Sequence, residues 1–269
     1  MNAPRSYLFV PGDRPERFDK ALATAADAVV LDLEDAVAPA AKPVAREAVA
    51  ALLANAPERL VVRINDEATP WFADDLAMLR ERGARNVMLP KAERAETVQR
   101  VRGVCPDIAV LALIESARGV LAAEAIAAAT GVERLVFGTI DYALDMDLQG
   151  ELVTTLGLDH AAARLALVSR AAGLLPPVAG VTVAIDDEPA LRADLVRAMA
   201  HGFGAKLCIH PKQIAAVHAL LAPSADERAW AERVLAAADA AGGAAVQLDG
   251  RMVDKPVIER ARRIVQRAH

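Results

Sequence analysis

The sequence predicts an α/β fold: a closed (β/α)8 barrel of the TIM type followed by a C-terminal helical extension. Three observations carry this prediction. A chain of 269 residues with 54% hydrophobic content is long and apolar enough to bury one large core. Eight short runs rich in Val, Ile and Leu recur along it, and amphipathic stretches long enough for right-handed crossovers separate them. An open doubly wound sheet is the competing arrangement, but its first strand would lead into a GxGxxG turn, whereas here it ends in Val10-Pro11-Gly12.

The eight runs are Tyr7–Val10, Ala28–Leu33, Leu60–Ile64, Asn86–Leu89, Ala109–Ile114, Leu135–Phe137, Val178–Thr182 and Lys206–Ile209. Each is short and nearly continuous in apolar residues, the pattern of a parallel strand covered on both faces. Helical periodicity marks Arg17–Ala26, Ala41–Leu53, Trp71–Arg82, Glu93–Val104, Gly119–Ala129, Leu158–Ala172 and Glu188–His201. After the eighth strand come a helix at Asp226–Ala241, a break at Gly242-Gly243, a short Ala245–Leu248 strand and a last helix around Pro256–Ala268. The expected division is therefore residues 1–222 for a catalytic barrel and 223–269 for a helical lid or oligomerisation segment.

Composition narrows the function. A formal net charge of −5 argues against a nucleic-acid surface, which needs clustered Lys and Arg, and 3% aromatic residues leave little to stack on single strands. No stretch reaches the roughly 18 uninterrupted apolar residues of a membrane span, and Met1-Asn2-Ala3-Pro4-Arg5 has no secretory pattern. A cytoplasmic protein is the expectation. Cys105 and Cys208 are too few for a disulfide framework or a cysteine zinc site, so both read as reduced structural thiols.

Barrel enzymes carry their chemistry at the C-terminal ends of the strands, and polar residues gather there in this sequence. In order they are Gly12-Asp13-Arg14, Asp32 with Glu34 and Asp35, Arg63 with Asn65, Lys91, Glu115, Asp141, Asp186 with Asp187, and His210. Glu115 follows Ala112-Leu113-Ile114 and Asp141 lies just past Phe137-Gly138, so adjacent strands would offer two hard oxygen ligands, a set that suits Mg²⁺. The alternative is that Glu115 pairs with Arg118 and Asp141 caps a helix. Arg63 emerges at the mouth, to hold a carboxylate or steady enolate charge, or to pair with Asp32 or Glu34. Three acids within Leu31-Asp32-Leu33-Glu34-Asp35 need compensating cations, for which Arg63, Lys91 and a bound ion are available. By strand alternation Asp32 and Glu34 share a face and Asp35 turns away, which makes Glu34 the better residue for orienting metal waters; the alternative is that Asp35 starts the following loop.

Arg14, Arg17 and Lys20 on the first βα connection, with Lys42 and Arg46 on the second, form a patch suited to phosphates; Arg14 and Lys20 are the expected cofactor-binding residues. The alternative is a solvated helix face. His210 ends the eighth strand, where it could be a general base, a metal ligand or a structural residue, and it reads best as structural; neither Ser116 nor a cysteine has the histidine and acid of a nucleophilic triad at recognisable spacing. Asp254 reads as a cap before the helix begun by Pro256.

Taken together, Leu8-Phe9-Val10-Pro11-Gly12, Leu31 to Val37, Arg63-Ile64-Asn65, Leu89-Pro90-Lys91, Ile114 to Gly119, Phe137-Gly138 with Asp141, Cys208-Ile209-His210-Pro211 and Asp249 to Asp254 resemble the citrate lyase beta-subunit-like family, which includes malyl-CoA and citramalyl-CoA lyases. The resemblance spans nearly the whole chain. It implies a homotrimer or dimer of trimers whose barrels bind Mg²⁺ through Glu115 and Asp141, with Arg63 at the reacting oxygens and Glu34 and Asp35 supporting the site. It also implies a C-terminal segment that reaches over a neighbouring barrel, with Asp254 as acid/base. Pyruvate aldolases of the same superfamily place a histidine where this chain has Asp35, which lowers the aldolase reading.

The expected activity is retro-Claisen cleavage, or the reverse condensation, of a 3-hydroxyacyl CoA thioester such as citryl-, malyl- or citramalyl-CoA. The competing readings are an aldolase of free 2-keto acids, a subunit that needs an acyl-carrier-protein partner, and a non-catalytic barrel whose acids bind no metal.

Overall fold

The computed structural model describes residues 3–54, 58–240 and 246–268. Its strands are β1 (Ser6–Pro11), β2 (Ala28–Asp32), β3 (Leu60–Arg63), β4 (Asn86–Leu89), β5 (Ala109–Ile114), β6 (Val132–Phe137), β7 (Val178–Ala179) and β8 (Ala205–Cys208), closed in that order into a parallel barrel. Closure is made by β1 against β8, in the register Ser6↔Lys206 to Leu8↔Cys208. The expected (β/α)8 fold is the one observed.

The helices between the strands are α1 (Phe18–Leu22), α2 (Lys42–Leu53), α3 (Phe72–Arg82), α4 (Ala95–Val104), α5 (Ala117–Ala127), α6 (Thr139–Asp145), α7 (Glu151–Ala171), α8 (Glu188–His201) and α9 (Lys212–Leu221). Three differences from the sequence reading have physical causes. First, α1 stops at Leu22, where the Thr24 hydroxyl bonds the Ala21 carbonyl and competes with the helix. Second, β7 pairs over only two residues, because the next carbonyl, that of Gly180, accepts from the buried Lys206 ammonium at 2.7 Å. Third, α6 and α9 go unpredicted: α6 is one short segment of seven residues, and α9 carries apolar residues too densely to show a clear period.

All eight strands contribute to one interior cluster, Tyr7, Ala28, Val30, Val61, Met88, Leu111, Leu113, Val136, Val178, Ala205 and Leu207. Each fully buried aliphatic side chain contributes on the order of 2 kcal/mol. Because side chains alternate along a strand, the position two residues past an interior residue points into the barrel mouth. That register selects Asp32 after Val30, Arg63 after Val61, Glu115 after Leu113 and Gly138 after Val136. The hydrophobic filling of the barrel thus aims these strand-end residues at one mouth.

Two compact units make up the chain: Pro4–Val217, which holds the barrel, and residues from His218 onward together with Met1–Ala3. In the second, α10 (Ala225–Ala240) packs on α11 (Lys255–Ala268) through Ala231, Val234, Ala238, Ile258, Ala261 and Ile264. A hairpin of β9 (Val246–Leu248) and β10 (Arg251–Val253) precedes α11, turning at Asp249 and Gly250, both at positive φ. The expected Gly242-Gly243 break and the first residue of the Ala245–Leu248 strand lie outside the described residues. Among the described residues no helix is long and apolar enough to cross a membrane.

Candidate active site

A cavity of about 720 Å³ opens at the C-terminal ends of the strands, lined among others by Phe9, Asp32, Arg63, Glu115, Gly138 and Asp141. Glu115 stands one residue past β5 and is only 4% exposed. Its Oε1 accepts the backbone N–H of Lys91 at 2.7 Å. A side chain at Gly138 would bring its Cβ within 2.6 Å of both Glu115 Cβ and Oε2, so the glycine leaves the room that the carboxylate occupies. Burial raises the Glu115 carboxyl to about 8, against the lowering effect of the Lys91 N–H. Asp141, in the first turn of α6, is half-buried on the cavity wall and has no hydrogen-bond or ion-pair partner among the described residues.

The alternative roles weighed for these acids are not the ones adopted. Arg118 Nε faces Glu93 at 3.6 Å rather than Glu115, and α6 starts at Gly138 with no side-chain cap. A buried carboxylate with one oxygen not engaged by the protein, Glu115, and a half-buried one with no partner among the described residues, Asp141, on the same cavity wall fit a hard divalent cation that takes its remaining ligands from water and substrate. Among the described residues no group of three or more His, Cys, Asp or Glu could hold a metal. A protein-poor donor set of two is the kind that Mg²⁺ accepts.

Arg63 is gripped by Asp32 through a bidentate pair, Nε to Oδ1 at 2.7 Å and Nη2 to Oδ2 at 2.6 Å. Both residues are buried or nearly so, and the guanidinium lies over the Phe9 ring at 4.8 Å. Asp32 also accepts the N–H groups of Glu34 and Ala36, which folds the chain after β2 into a tight turn. The fork of Arg63 is therefore committed to its neighbouring strand, and Nη1 is the nitrogen left over. It sits 3.2 Å from Glu34 Oε2 and 3.5 Å from Asp35 Oδ2.

Glu34 is buried, and burial lifts it to about 7 despite Arg63 and Lys91. Its Oε1 accepts from the Lys91 ammonium, while Oε2 has no aligned donor. Asp35 is 55% exposed on its side chain yet reaches the same two cations as Glu34. The expectation that Asp35 turns away fails because β2 ends at Asp32 and alternation no longer governs the turn. Lys91, expected only as a compensating cation, touches both Glu115 and Glu34. It adopts φ 45°, the left-handed region unusual for a non-glycine residue, and so turns its N–H to Glu115 and its ammonium to Glu34. The Leu89-Pro90-Lys91 motif marks the place, but no sequence signal gives a lysine that backbone.

The basic patch divides. Arg17 and Lys20 line the cavity, whereas Arg14 is not part of its wall and stands 3.8 Å from Asp13. Lys42 and Arg46 are not part of that wall either and are engaged within the protein. Lys42 is buried, donates to the carbonyls of Leu33 and Glu34 at 2.9 and 3.0 Å, and lies over the Trp71 ring. Arg46 bonds Asp75, which in turn accepts from Asn65. In the second unit, Asp254 Oδ1 accepts the N–H of Val257 at 3.3 Å, so it does cap α11.

The sequence matches the model of the HpcH/HpaI aldolase/citrate lyase family over residues 5–211 and that of a carbon–carbon bond lyase of the TIM-barrel fold over residues 169–269. A citrate lyase subunit beta-like protein of Mycobacterium tuberculosis is 41% identical over 275 residues, covering 97% of this chain and 94% of that protein. A (3S)-malyl-CoA thioesterase of Cereibacter sphaeroides is 34% identical over 273 residues, covering 98% and 94%. The crystal structure of CitE from Mycobacterium tuberculosis in complex with magnesium, acetoacetate and coenzyme A has a TM-score of 0.84 and 38% identity, covering 99% of this chain and 98% of that one. With near-complete coverage and a family model spanning the barrel, the chain belongs to the HpcH/HpaI aldolase/citrate lyase family, and so to the carbon–carbon lyases.

Proposed function

We propose that this lyase cleaves, or forms by Claisen condensation, a 3-hydroxyacyl thioester such as citryl-, malyl- or citramalyl-CoA, with Mg²⁺ held by Glu115 and Asp141. The observation that carries the reading is the pair of unmatched carboxylates at adjacent strand ends, in one cavity with Arg63. When bound, the ion would supply Lewis acidity and a template for the hydroxyl and carbonyl oxygens. The metal and carrier named for the related CitE complex, magnesium and coenzyme A, support the same reading.

In the cleavage direction a base takes the proton of the 3-hydroxyl group, and the oxygen's electron pair becomes a carbonyl. The carbon–carbon bond breaks and its electrons pass into the thioester as an enolate. Arg63 Nη1, the one nitrogen not tied to Asp32, steadies that charge. Glu34 and Asp35 hold Arg63 Nη1 and Lys91 in place, and protonation of the enolate carbon then gives the acyl thioester. Asp254 is the acid/base in this proposal, on the strength of the resemblance. Arg17 and Lys20 at the cavity wall, with Arg14 nearby in sequence, receive the phosphates of the carrier. The homotrimer belongs to the same reading, and its measure is the mass in solution.

A thioester panel assayed with Mg²⁺ and with EDTA tests the proposal, scored for carbonyl product and for free CoA separately. Loss of Mg²⁺-dependent turnover in Glu115→Gln is expected; undiminished turnover would sink the assignment. Turnover of free hydroxy-keto acids in place of thioesters would mark an aldolase, and activity only on a carrier-protein thioester a subunit. The similarity to a malyl-CoA thioesterase favours one second reading, hydrolysis, whose sign is CoA release with no carbonyl product.

A further inference from the structure

His210 stands just past β8 in the wall of the same cavity, and the chemistry above leaves it without a task. Its Nδ1 accepts the backbone N–H of Lys212 at 3.2 Å. A ring nitrogen that accepts carries no proton, so the neutral imidazole bears its hydrogen on Nε2. No acceptor meets that Nε2–H among the described residues. The neighbouring Asp186 is engaged through Oδ1 by Lys212 Nζ.

The backbone that carries the ring is also held in place. Gln213 is buried and clamps the segment on both sides: its Oε1 accepts from Ile209 N at 2.9 Å, and its Nε2 donates to the Thr182 carbonyl at 2.9 Å. A donor on a rigid support, facing a cavity, is preorganised for a ligand oxygen. The cavity wall also carries Arg17 and Lys20, from the connection after β1, the strand that pairs with β8.

We propose that His210 is a ligand-contacting residue whose Nε2–H donates to an anionic oxygen of the bound thioester, on the acyl carboxylate or on a carrier phosphate. It rests on the cavity being the thioester site. Asparagine at this position can still accept the N–H two residues on, as in an Asx turn, but has no donor where Nε2 stands. Glutamine reaches that place with an amide N–H. The test is calorimetric titration of the full chain, in Mg²⁺, with coenzyme A and with acetoacetate as probes.

In His210→Asn, affinity for one or both probes should fall about tenfold, the scale of one hydrogen bond to a charged oxygen. His210→Gln should recover most of it, with melting temperatures unchanged in both. A loss confined to coenzyme A assigns the phosphate; one confined to acetoacetate assigns the carboxylate. Unchanged affinities in His210→Asn, a Gln variant as weak as the Asn one, or a wild type that binds neither probe would overturn the proposal. A wild type that binds both probes but turns over no thioester defeats the proposed reaction instead, and leaves His210 to be judged by the titrations.

Discussion

The backbone N–H of Lys91 donates to Glu115 Oε1 at 2.7 Å from a left-handed conformation, while the ammonium of the same residue bonds Glu34. One residue thereby orients two buried carboxylates from different strands. Its conformation is strained, since a Cβ in the left-handed region costs about 1 kcal/mol. Lys91→Gly and Lys91→Ala both remove the ammonium and differ in that strain, set against the extra freedom that glycine gives the unfolded chain. Urea denaturation should find the glycine variant more stable by about 1 kcal/mol; equal stabilities would mean that the cost of the positive φ does not exceed that freedom.

Gly138 is the counterpart of Lys91 on the other side of Glu115. A methyl group there meets Glu115 Cβ and Oε2 at 2.6 Å, and although the carboxylate tip can swing, the Cβ cannot. Gly138→Ala should therefore leave the barrel folded and weaken Mg²⁺ binding by about tenfold or more, the usual scale for disturbing the support of a metal ligand. Titration calorimetry with MgCl₂ reads this directly, and wild-type affinity would show that Glu115 tolerates the displacement.

Burial lifts Glu34 from 4.5 to about 7 and Glu115 from 4.5 to about 8. A carboxyl with a raised folded pKa binds its proton more tightly when folded, so its stabilisation is full below the unfolded value and is lost as pH climbs through the folded one. The metal-free protein should accordingly lose thermal stability between about pH 5 and about pH 8. Mg²⁺ competes with those protons, so the stabilisation it provides should grow over the same window. Melts in EDTA and in Mg²⁺ across this range check both statements; a Mg²⁺ effect larger at the acid end would contradict them.

Asp254 caps α11 through Oδ1, and asparagine is an equally good cap. Asp254→Asn should thus keep its melting temperature. If the residue transfers the proton, kcat on the preferred thioester should fall by about a hundredfold or more. A kcat within a few fold of wild type would return Asp254 to a purely structural role.

Lys42 neutralises the turn after β2 from inside, with its ammonium on two carbonyls. Lys42→Met keeps the bulk over Trp71 and strands both acceptors beside buried acids. A stability loss of about 2–4 kcal/mol is expected in chemical denaturation, consistent with hydrogen bonds from a charged donor. A loss below about 0.5 kcal/mol would mean that water replaces the ammonium.

Apolar runs of strand length separated by amphipathic helices leave few ways to bury their faces, which makes the barrel legible in the sequence. So are the strand ends that carry acids and Arg63, since the interior residues two positions earlier set the side-chain direction. What those groups do to one another was not legible, because it rests on contacts between strands. Arg63 could have offered its whole fork to a ligand, but Asp32 takes two of its nitrogens across the β2–β3 register and leaves Nη1, while Lys42 is drawn inside by the carbonyls of Leu33 and Glu34. The left-handed turn at Lys91, the space at Gly138 and the proton placement on His210 depend on partners 24, 23 and 2 residues away. Periodicity reports the face on which a residue lies, whereas hydrogen bonding between segments, settled only when the barrel closes, decides which of its atoms remain free for a ligand.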